Sequence, residues 1–206
     1  MKKLIKVCGM RDTQNIYNLI DLGVDYMGMI FYAKSPRYIE SLPEIHNYKN
    51  VKKVGVFVNA NETEIMDKVR EFDLQVVQLH GQEEVNICKN LKYQGLEVFK
   101  AFGISDDFDF VNVKSFEDYC DMFIFDTKTK VHGGSGKKYN WSKLDEYKGD
   151  TPFLLSGGIG PNDIDEILKI NHKNYAGVDL NSGFELGPAL KNIDLLNDFI
   201  QIYKSK

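Results

Sequence analysis

Short runs of apolar residues recur along the chain, and each is followed by a stretch of mixed polar and apolar residues. Within a run nearly every position is hydrophobic, which is typical of β-strands buried on both faces. Successive runs begin roughly 20 to 30 residues apart, the length of one strand, one helix and their loops. The pattern predicts eight strands, at residues 4–8, 26–31, 53–58, 75–79, 97–102, 122–126, 152–156 and 177–180.

Several stretches between the strands carry an apolar stripe at helical spacing. The first lies between Asp12, a candidate N-cap, and Gly23, which is suited to end a helix. Its apolar face consists of Ile16, Leu19 and Ile20. Similar stripes predict three more helices, which begin near Asn61, Pro161 and Ile193. Residues 105–119 show no regular helical stripe, so no helix is placed there.

The number of strands distinguishes between the parallel α/β architectures. Flavodoxin-like and Rossmann sheets have fewer strands, whereas eight alternating strand and helix units are typical of a closed barrel. No linker or low-complexity tract interrupts the pattern. The sequence therefore predicts one α/β domain over residues 1–206, a single (β/α)8 TIM barrel with eight parallel strands.

Composition and charge limit the choice of partners. The 206 residues include 26 Lys and Arg against 30 Asp and Glu, a net charge of −4, and no long basic run. We therefore expect no nucleic-acid partner. We expect no membrane partner either, because no stretch approaches the ~18 apolar residues of a membrane-spanning helix. Since Lys6 and Arg11 interrupt the apolar stretch at the N-terminus, no export signal is evident, and we expect a cytoplasmic protein. A monomer is the default expectation for its oligomeric state.

The cysteines argue against a disulfide-bonded or metal-bound structure. Cys8, Cys88 and Cys120 are odd in number and lack the C-x-x-C spacing. They therefore predict neither a disulfide framework nor a zinc site. We expect no metal and no organic cofactor.

In a barrel of this kind the active site lies at the carboxyl ends of the strands. The polar and glycine residues at those ends are Cys8, Arg37, His80, Asp126, Gly157, Gly158, Asp179 and Ser182. Cys8 and Asp126 come from opposite sides of the barrel mouth, where a thiol and a carboxyl can act as base and acid on one substrate. Arg37 offers a planar fork for a carboxylate. The alternatives are a small buried cysteine, a helix-capping aspartate and a surface arginine.

Glycine-bearing turns follow the last two strands. They are SGGIGPND (156–163) and NSGFE (181–185). Backbone N–H groups in such turns bind anions, and barrels commonly bind phosphate in these loops, so a phosphate site is predicted, with ordinary turns as the alternative. The loop at 127–140 carries Lys128, Lys130, His132 and the sequence GGSG. It is a candidate lid over an anionic substrate, or else a solvated connector.

Taken together, these motifs resemble the phosphoribosylanthranilate isomerase family of tryptophan biosynthesis from end to end. The matching segments are KVCGMRD (6–12), SPRYI (35–39), VGVFVN (54–59), QLHG (78–81), FDT (125–127), GGSGKKYNW (133–141), SGGIGPND (156–163) and VDLNSGFE (178–185). Each segment alone is weak evidence, but all of them in order at matching spacing are highly specific. The resemblance implies a small phosphorylated substrate and no cofactor.

The resemblance also implies a reaction, the Amadori rearrangement of N-(5′-phosphoribosyl)anthranilate to 1-(2-carboxyphenylamino)-1-deoxyribulose 5-phosphate. Asp126 matches the family's general acid, which protonates the ribose ring oxygen, and Cys8 matches the general base, which removes the C2′ proton. Arg37 matches the arginine that holds the anthranilate carboxylate. His80 and Asp179 match positions that line the pocket.

The phosphate cradle is carried over from the same resemblance. Gly157 and Gly158 match its first turn, and Asn181, Ser182 and Gly183 match its second. Asn181 stands where the family frequently has serine. The contacts carried over for that turn are therefore those of the backbone amides.

Two other functions stay open at this point. One is another phosphate-binding barrel of the same pathway, indole-glycerol-phosphate synthase, which would need a lysine acid at a strand end. Lys6 has the same inward parity as Cys8, but no paired glutamate is evident at the barrel mouth. The other is a non-catalytic barrel that binds a sugar phosphate as a sensor or scaffold. The presence of both Cys8 and Asp126 argues against it.

Overall fold

The computed structural model describes residues 3–41, 43, 48, 51–128 and 139–205. Eight parallel strands form a closed barrel in chain order, with the first strand paired to the eighth. The strands are β1 Leu4–Cys8, β2 Tyr26–Ile30, β3 Lys52–Phe57, β4 Val76–Leu79, β5 Glu97–Ile104, β6 Met122–Thr127, β7 Phe153–Leu155 and β8 Tyr175–Leu180. The predicted eight-stranded barrel is confirmed. The predicted lid residues Lys130 and His132 and the GGSG sequence lie outside the described residues.

The described α-helices lie between the strands and after the last of them. They are α1 Thr13–Asp21, α2 Glu62–Phe72, α3 Val85–Tyr93, α4 Ile164–Ile167 and α5 Ile193–Ser205. Both predicted N-caps are formed: the Asp12 carboxylate accepts from the Asn15 N–H at 2.8 Å, and Asn61 caps α2. Gly23 follows α1 with φ +67°, a conformation that glycine adopts readily. The helix predicted at Pro161 is a 3-10 turn followed by the four residues of α4.

The two longest 3-10 helices among the described residues are Phe110–Tyr119 and Trp141–Glu146. Their apolar residues recur at every third position, as a helix with about three residues per turn requires. The residues that pack against the core in this way are Phe110, Val113, Phe116 and Tyr119 in the first and Trp141, Leu144 and Tyr147 in the second. This repeat explains why residues 105–119 show no α-helical stripe.

Alternation along the strands sorts the side chains into two layers. Ile5 and Val7 lie in the large apolar core between the strands and the helices. Cys8 lies in a smaller cluster in the barrel interior, with Val54 and Ile124. Because successive strand residues point to opposite faces, polar residues that share the parity of Cys8 face the barrel interior.

A hairpin that the sequence pattern did not predict follows β8. It consists of β9, Glu185–Gly187, and β10, Leu190–Lys191. The Asn15 amide fixes it to α1 by bonding the backbone N–H and C=O of Lys191 at 2.8 and 2.9 Å. The hairpin therefore carries two charged side chains, Glu185 and Lys191, to the back of the barrel mouth.

A search of the described helices finds none with the length and apolar character needed to cross a membrane.

Candidate active site

A cleft of about 820 Å³, measured out to its open mouth, lies at the carboxyl ends of the strands. It brings together most of the residues predicted for the site: Cys8, His80, Asp126, Gly157, Gly158, Asp179, Asn181 and Ser182. Of the described residues predicted for the site, Arg37 and Gly183 do not line the cleft. Their surroundings, given below, explain why.

Cys8 ends β1 on the cleft floor and is 5 % exposed. Gly28 of β2 lies beside it in the strand register. A Cβ atom at Gly28 would come within 2.8 Å of Cys8 Sγ, so the glycine in this apolar strand makes room for the thiol. Burial raises the pKa of the Cys8 thiol, while the ammonium groups of Lys6 and Lys191 oppose that rise.

Lys6 and Asp179 form an ion pair in the barrel interior, directly across the register of β1 and β8. Lys6 Nζ lies 2.9 Å from Asp179 Oδ1, and both side chains are buried. Cys8 lies two residues along the same strand and on the same face as Lys6. Although burial disfavours the ammonium, Asp179 and Cys8 outweigh it and raise the pKa of Lys6. Lys6 therefore keeps its positive charge beneath the Cys8 thiol.

Asp126, in β6, stands on the opposite wall. Its Oδ1 accepts from the Thr127 N–H at 2.8 Å, and its Oδ2 lies 3.2 Å from His80 Nε2. The Asp126 and His80 side chains are each 24 % exposed. Gln78 Nε2 lies 2.9 Å from His80 Nδ1. With Gln78 as the donor in that contact, the proton of a neutral imidazole is on Nε2, facing Asp126.

Gly157 packs directly against the Asp126 carboxylate. Its φ is +88°, and a Cβ atom there would lie 2.6 Å from Asp126 Oδ1 and 2.4 Å from the Thr127 backbone nitrogen. Any side chain at this position would displace the Asp126 carboxylate. The first glycine turn therefore lines the cleft and also leaves room for the Asp126 carboxylate.

The two turns predicted to bind phosphate contact each other. A Cβ atom at Gly183 would lie 2.0 Å from the Ile159 carbonyl oxygen, so Gly183 serves the packing of the turns rather than the cleft surface. The Asn181 side chain is already bound, because its Oδ1 accepts from Lys191 Nζ at 2.8 Å. That the backbone amides of this turn bind an anion stays a prediction.

Arg37 lies behind the cleft wall. Its Nε and Nη2 donate to Glu185 at distances between 2.6 and 3.0 Å, and both side chains are buried. Glu185 also accepts from Lys191 Nζ at 2.5 Å. Burial opposes ionisation of Glu185, but Arg37 and Lys191 outweigh it and lower its pKa. The carboxylate contact predicted for Arg37 would therefore use Nη1, the nitrogen that Glu185 does not bind.

A second hollow adjoins the cleft. It shares His80, Asp126 and Thr127 with the cleft and extends towards Phe102 and Phe108. Asp126 therefore lies between two open spaces, whereas Cys8 lines only the first of them. Across the described part of the chain, no three His, Cys, Asp or Glu side chains are grouped so as to hold a metal ion.

Sequence reasoning did not single out Gln78, Glu185 or Lys191 as functional residues. Gln78 left a signal, since it is a polar residue in a buried apolar strand and shares the parity of His80. Lys191 gave no signal in the sequence, and Glu185 gave only its place in the matched segment VDLNSGFE (178–185). The positions of both side chains depend on a hairpin that the hydrophobic pattern does not indicate.

Comparisons with known proteins agree with one another. The family model for N-(5′-phosphoribosyl)anthranilate (PRA) isomerase matches residues 5–202. The N-(5′-phosphoribosyl)anthranilate isomerase of Parabacteroides distasonis is 45 % identical over 203 residues, which cover 96 % of this chain and 92 % of that protein.

Two solved structures extend this similarity. One, of mutually generated monomers of the dimeric isomerase from Thermotoga maritima, is 30 % identical with a TM-score of 0.82, covering 99 % of this chain and 100 % of that one. The other is a phosphoribosyl anthranilate isomerase in complex with reduced 1-(o-carboxyphenylamino)-1-deoxyribulose 5-phosphate. It is 27 % identical with a TM-score of 0.80, at the same coverage of 99 % and 100 %.

Proposed function

The chain belongs to the N-(5′-phosphoribosyl)anthranilate isomerase family, and on that premise we propose that its cleft catalyses that isomerisation in tryptophan biosynthesis. The product is 1-(2-carboxyphenylamino)-1-deoxyribulose 5-phosphate. The observation that carries the proposal is the placement of Cys8 and Asp126 on opposite walls of one cleft, beside the glycine turns. A thiol and a carboxyl so placed can act on two sides of one bound sugar.

Asp126 acts first, as general acid. It gives a proton to the ribose ring oxygen, the bond from that oxygen to C1′ breaks, and the nitrogen lone pair forms an iminium with C1′. The ring oxygen becomes the C4′ hydroxyl. His80, whose Nε2 lies 3.2 Å from Asp126 Oδ2, orients the carboxyl in this step.

Cys8 acts second, as general base. Its thiolate removes the C2′ proton, and the C–H electrons move towards the iminium to give an enolamine. The enolamine then loses its C2′ hydroxyl proton and gains a proton at C1′, which leaves a ketone at C2′. No atom is gained or lost overall, and no step as written needs an external oxidant or reductant.

Substrate binding uses the two ends of the cleft. Backbone amides of Gly157, Gly158 and the turn 181–183 bind the phosphate. Arg37 holds the anthranilate carboxylate through Nη1, the nitrogen that Glu185 does not bind. Asp179 lines the pocket between them and keeps Lys6 beneath Cys8.

The proposal includes the setting in which the protein works. Residues 1–206 act as one catalytic domain on a small phosphorylated substrate, in the cytoplasm, without a nucleic-acid or membrane partner. The chain acts as a monomer, in contrast to the dimeric T. maritima relative.

The test uses purified protein and phosphoribosylanthranilate made in situ, with the decay of substrate fluorescence as the readout. Wild type should accelerate the decay, and Asp126→Asn should lose about 100-fold or more of that activity, as expected for a missing general acid. A folded wild type that does not accelerate the decay would overturn the proposal. A thermal-shift screen with sugar phosphates would then test the sensor alternative.

A further inference from the structure

Behind Cys8 lies a cluster of five ionisable side chains drawn from five segments of the chain. Lys6 comes from β1, Arg37 from the loop after β2, Asp179 from β8, Glu185 from β9 and Lys191 from β10. Each of these side chains is 8 % exposed or less. Charges so far from water interact strongly and tend to occur in balanced sets.

The contacts divide the cluster into two groups. Lys6 is bound by Asp179 at 2.9 Å, which balances that pair. Glu185 is shared by two cations, Arg37 at 2.6 Å and Lys191 at 2.5 Å. Three cations therefore face two carboxylates, and one positive charge is in excess.

Cys8 lies next to this excess charge. Gly9, its neighbour in sequence, is so close to the cluster that a Cβ atom there would lie 2.7 Å from Arg37 Cδ and 3.0 Å from Asn181 Oδ1. That same Asn181 oxygen accepts from Lys191 Nζ at 2.8 Å. Among the described residues, Gly28 beside the thiol has no side chain, and Asp126 lies on the opposite wall, where its carboxylate contacts His80 Nε2.

We propose that Lys191 is a positioning residue that supplies the positive charge that balances the Cys8 thiolate. The inference rests on the proposed role of Cys8 as the base and adds the residue that makes its ionisation possible in a buried place. Lys6 is balanced by Asp179, whereas Arg37 and Lys191 share the one carboxylate of Glu185. Glu185 takes three contacts from Arg37 and one from Lys191, whose other partner among the described residues is the neutral Asn181 amide, so a thiolate at Cys8 brings the cluster to neutrality.

The titration behaviour agrees with this coupling. Burial lowers the pKa of Lys191, while Glu185 and Cys8 oppose the fall. Burial raises the pKa of Cys8, while Lys6 and Lys191 oppose the rise and Asp179 adds to it. The ammonium and the thiolate therefore stabilise each other.

The test is the pH dependence of Cys8 alkylation by iodoacetamide, followed by mass spectrometry of the Cys8 peptide. Lys191→Met should slow alkylation at neutral pH by about tenfold or more, with the titration displaced upwards by about one unit or more. Lys191→Arg, which keeps the charge, should restore most of the rate. Lys191→Met leaves Arg37 paired with Glu185, so no buried carboxylate loses its last partner. Lys173→Met, at an exposed lysine that pairs with Asp150, is the control and should leave the rate unchanged.

Glu185→Gln supplies a prediction of opposite sign. It removes a negative charge from the same cluster, so alkylation at neutral pH should become faster than in wild type. This variant decides the proposal if Lys191→Met does not fold. The proposal is overturned by a folded Lys191→Met with the wild-type titration, or by Glu185→Gln alkylating no faster than wild type.

Alkylation requires no turnover, so this test is independent of the isomerase assay. A chain that fails to isomerise phosphoribosylanthranilate but shows both charge effects would refute the proposed function and keep this inference. A chain that isomerises the substrate but shows neither effect would do the reverse.

Discussion

The two walls of the cleft, each proposed to transfer a proton, differ in their surroundings. Cys8 is 5 % exposed and is backed by buried charges, whereas Asp126 is 24 % exposed and is held by the Thr127 amide and one imidazole. Far from water, nearby charges govern the ionisation of a group, because the low dielectric strengthens them. Near water, hydrogen-bond geometry matters more than charge. We therefore expect nearby charges to govern Cys8 on the buried wall and hydrogen-bond geometry to govern Asp126 on the open wall.

This difference predicts how mutations divide between stability and activity. On the buried wall the residues that tune the base also hold the barrel together, so the two effects should coincide. On the open wall a partly exposed side chain such as His80 can be changed with little cost to folding. The free energy of unfolding is therefore the scale on which the walls should differ most.

The largest effect should come from Lys6→Met, which leaves Asp179 buried without its ammonium partner. Loss of one member of a buried pair costs about 3–5 kcal/mol of unfolding free energy. Denaturant unfolding measures it, and the double variant Lys6→Met with Asp179→Leu should recover most of the loss. A single variant that loses less than about 1 kcal/mol would show that this wall is not held by its charges.

Gly157→Ala should have an intermediate effect, because it combines strain with displacement of the acid. A residue with a Cβ at φ +88° costs about 1–2 kcal/mol of stability. The Cβ would also lie 2.6 Å from Asp126 Oδ1, so turnover should fall about tenfold or more.

Gly95→Ala is the matched control for Gly157→Ala. Its φ is +83°, and a Cβ there would have no atom within 4 Å. It should lose only the part of the stability that backbone strain costs, about 1–2 kcal/mol, without the clash against the Thr127 backbone, and should keep full turnover. Equal turnover in the two alanine variants would contradict the proposed dependence of activity on the geometry of the open wall.

His80→Asn should have the smallest effect on stability. The His80 and Asp126 side chains are a quarter exposed, and pairs near water contribute about 1 kcal/mol or less. Turnover should nevertheless fall about tenfold, since the carboxyl loses the imidazole that orients it. Chemical unfolding and the fluorescence assay together measure the two quantities. A stability loss as large as that of Lys6→Met would remove the distinction between the walls.

The pH dependence of kcat/KM sharpens the comparison further. Burial raises the pKa of Cys8, and only the thiolate can act as base. The thiolate fraction rises about tenfold per pH unit while the thiol predominates, but Asp126 must be protonated in the same molecule, so kcat/KM should follow a bell-shaped pH profile to which both groups contribute. Cys8→Ser should remove the contribution of the thiol, and a profile that Cys8→Ser leaves unchanged would exclude Cys8 as the base.

The strands and the inward-facing residues were predictable from sequence because each depends on local order. Eight continuous apolar runs identified the barrel, and strand parity placed Cys8 and Lys6 on the same face. The 3-10 helix Phe110–Tyr119 was not predicted, since its apolar residues repeat at every third position rather than at the α-helical interval.

The charge cluster could not be predicted for a different reason. Its members are far apart in sequence, and Glu185 and Lys191 meet Arg37 only through the fold of the hairpin. The same fold draws Arg37 away from the cleft surface, which the residue type alone did not indicate. Local pattern thus locates the proposed acid Asp126 and the proposed base Cys8, whereas Glu185 and Lys191 reach their positions through tertiary contacts.

The central claim, that Asp126 opens the ring and Cys8 breaks the C2′–H bond, is tested most directly by substrate deuterated at C2′. In Cys8→Ser, proton removal limits turnover, and deuterium should slow the residual reaction severalfold. In Asp126→Asn, ring opening limits turnover and breaks no C–H bond, so deuterium should have no effect. An isotope effect in Asp126→Asn and none in Cys8→Ser would contradict the assignment of acid and base.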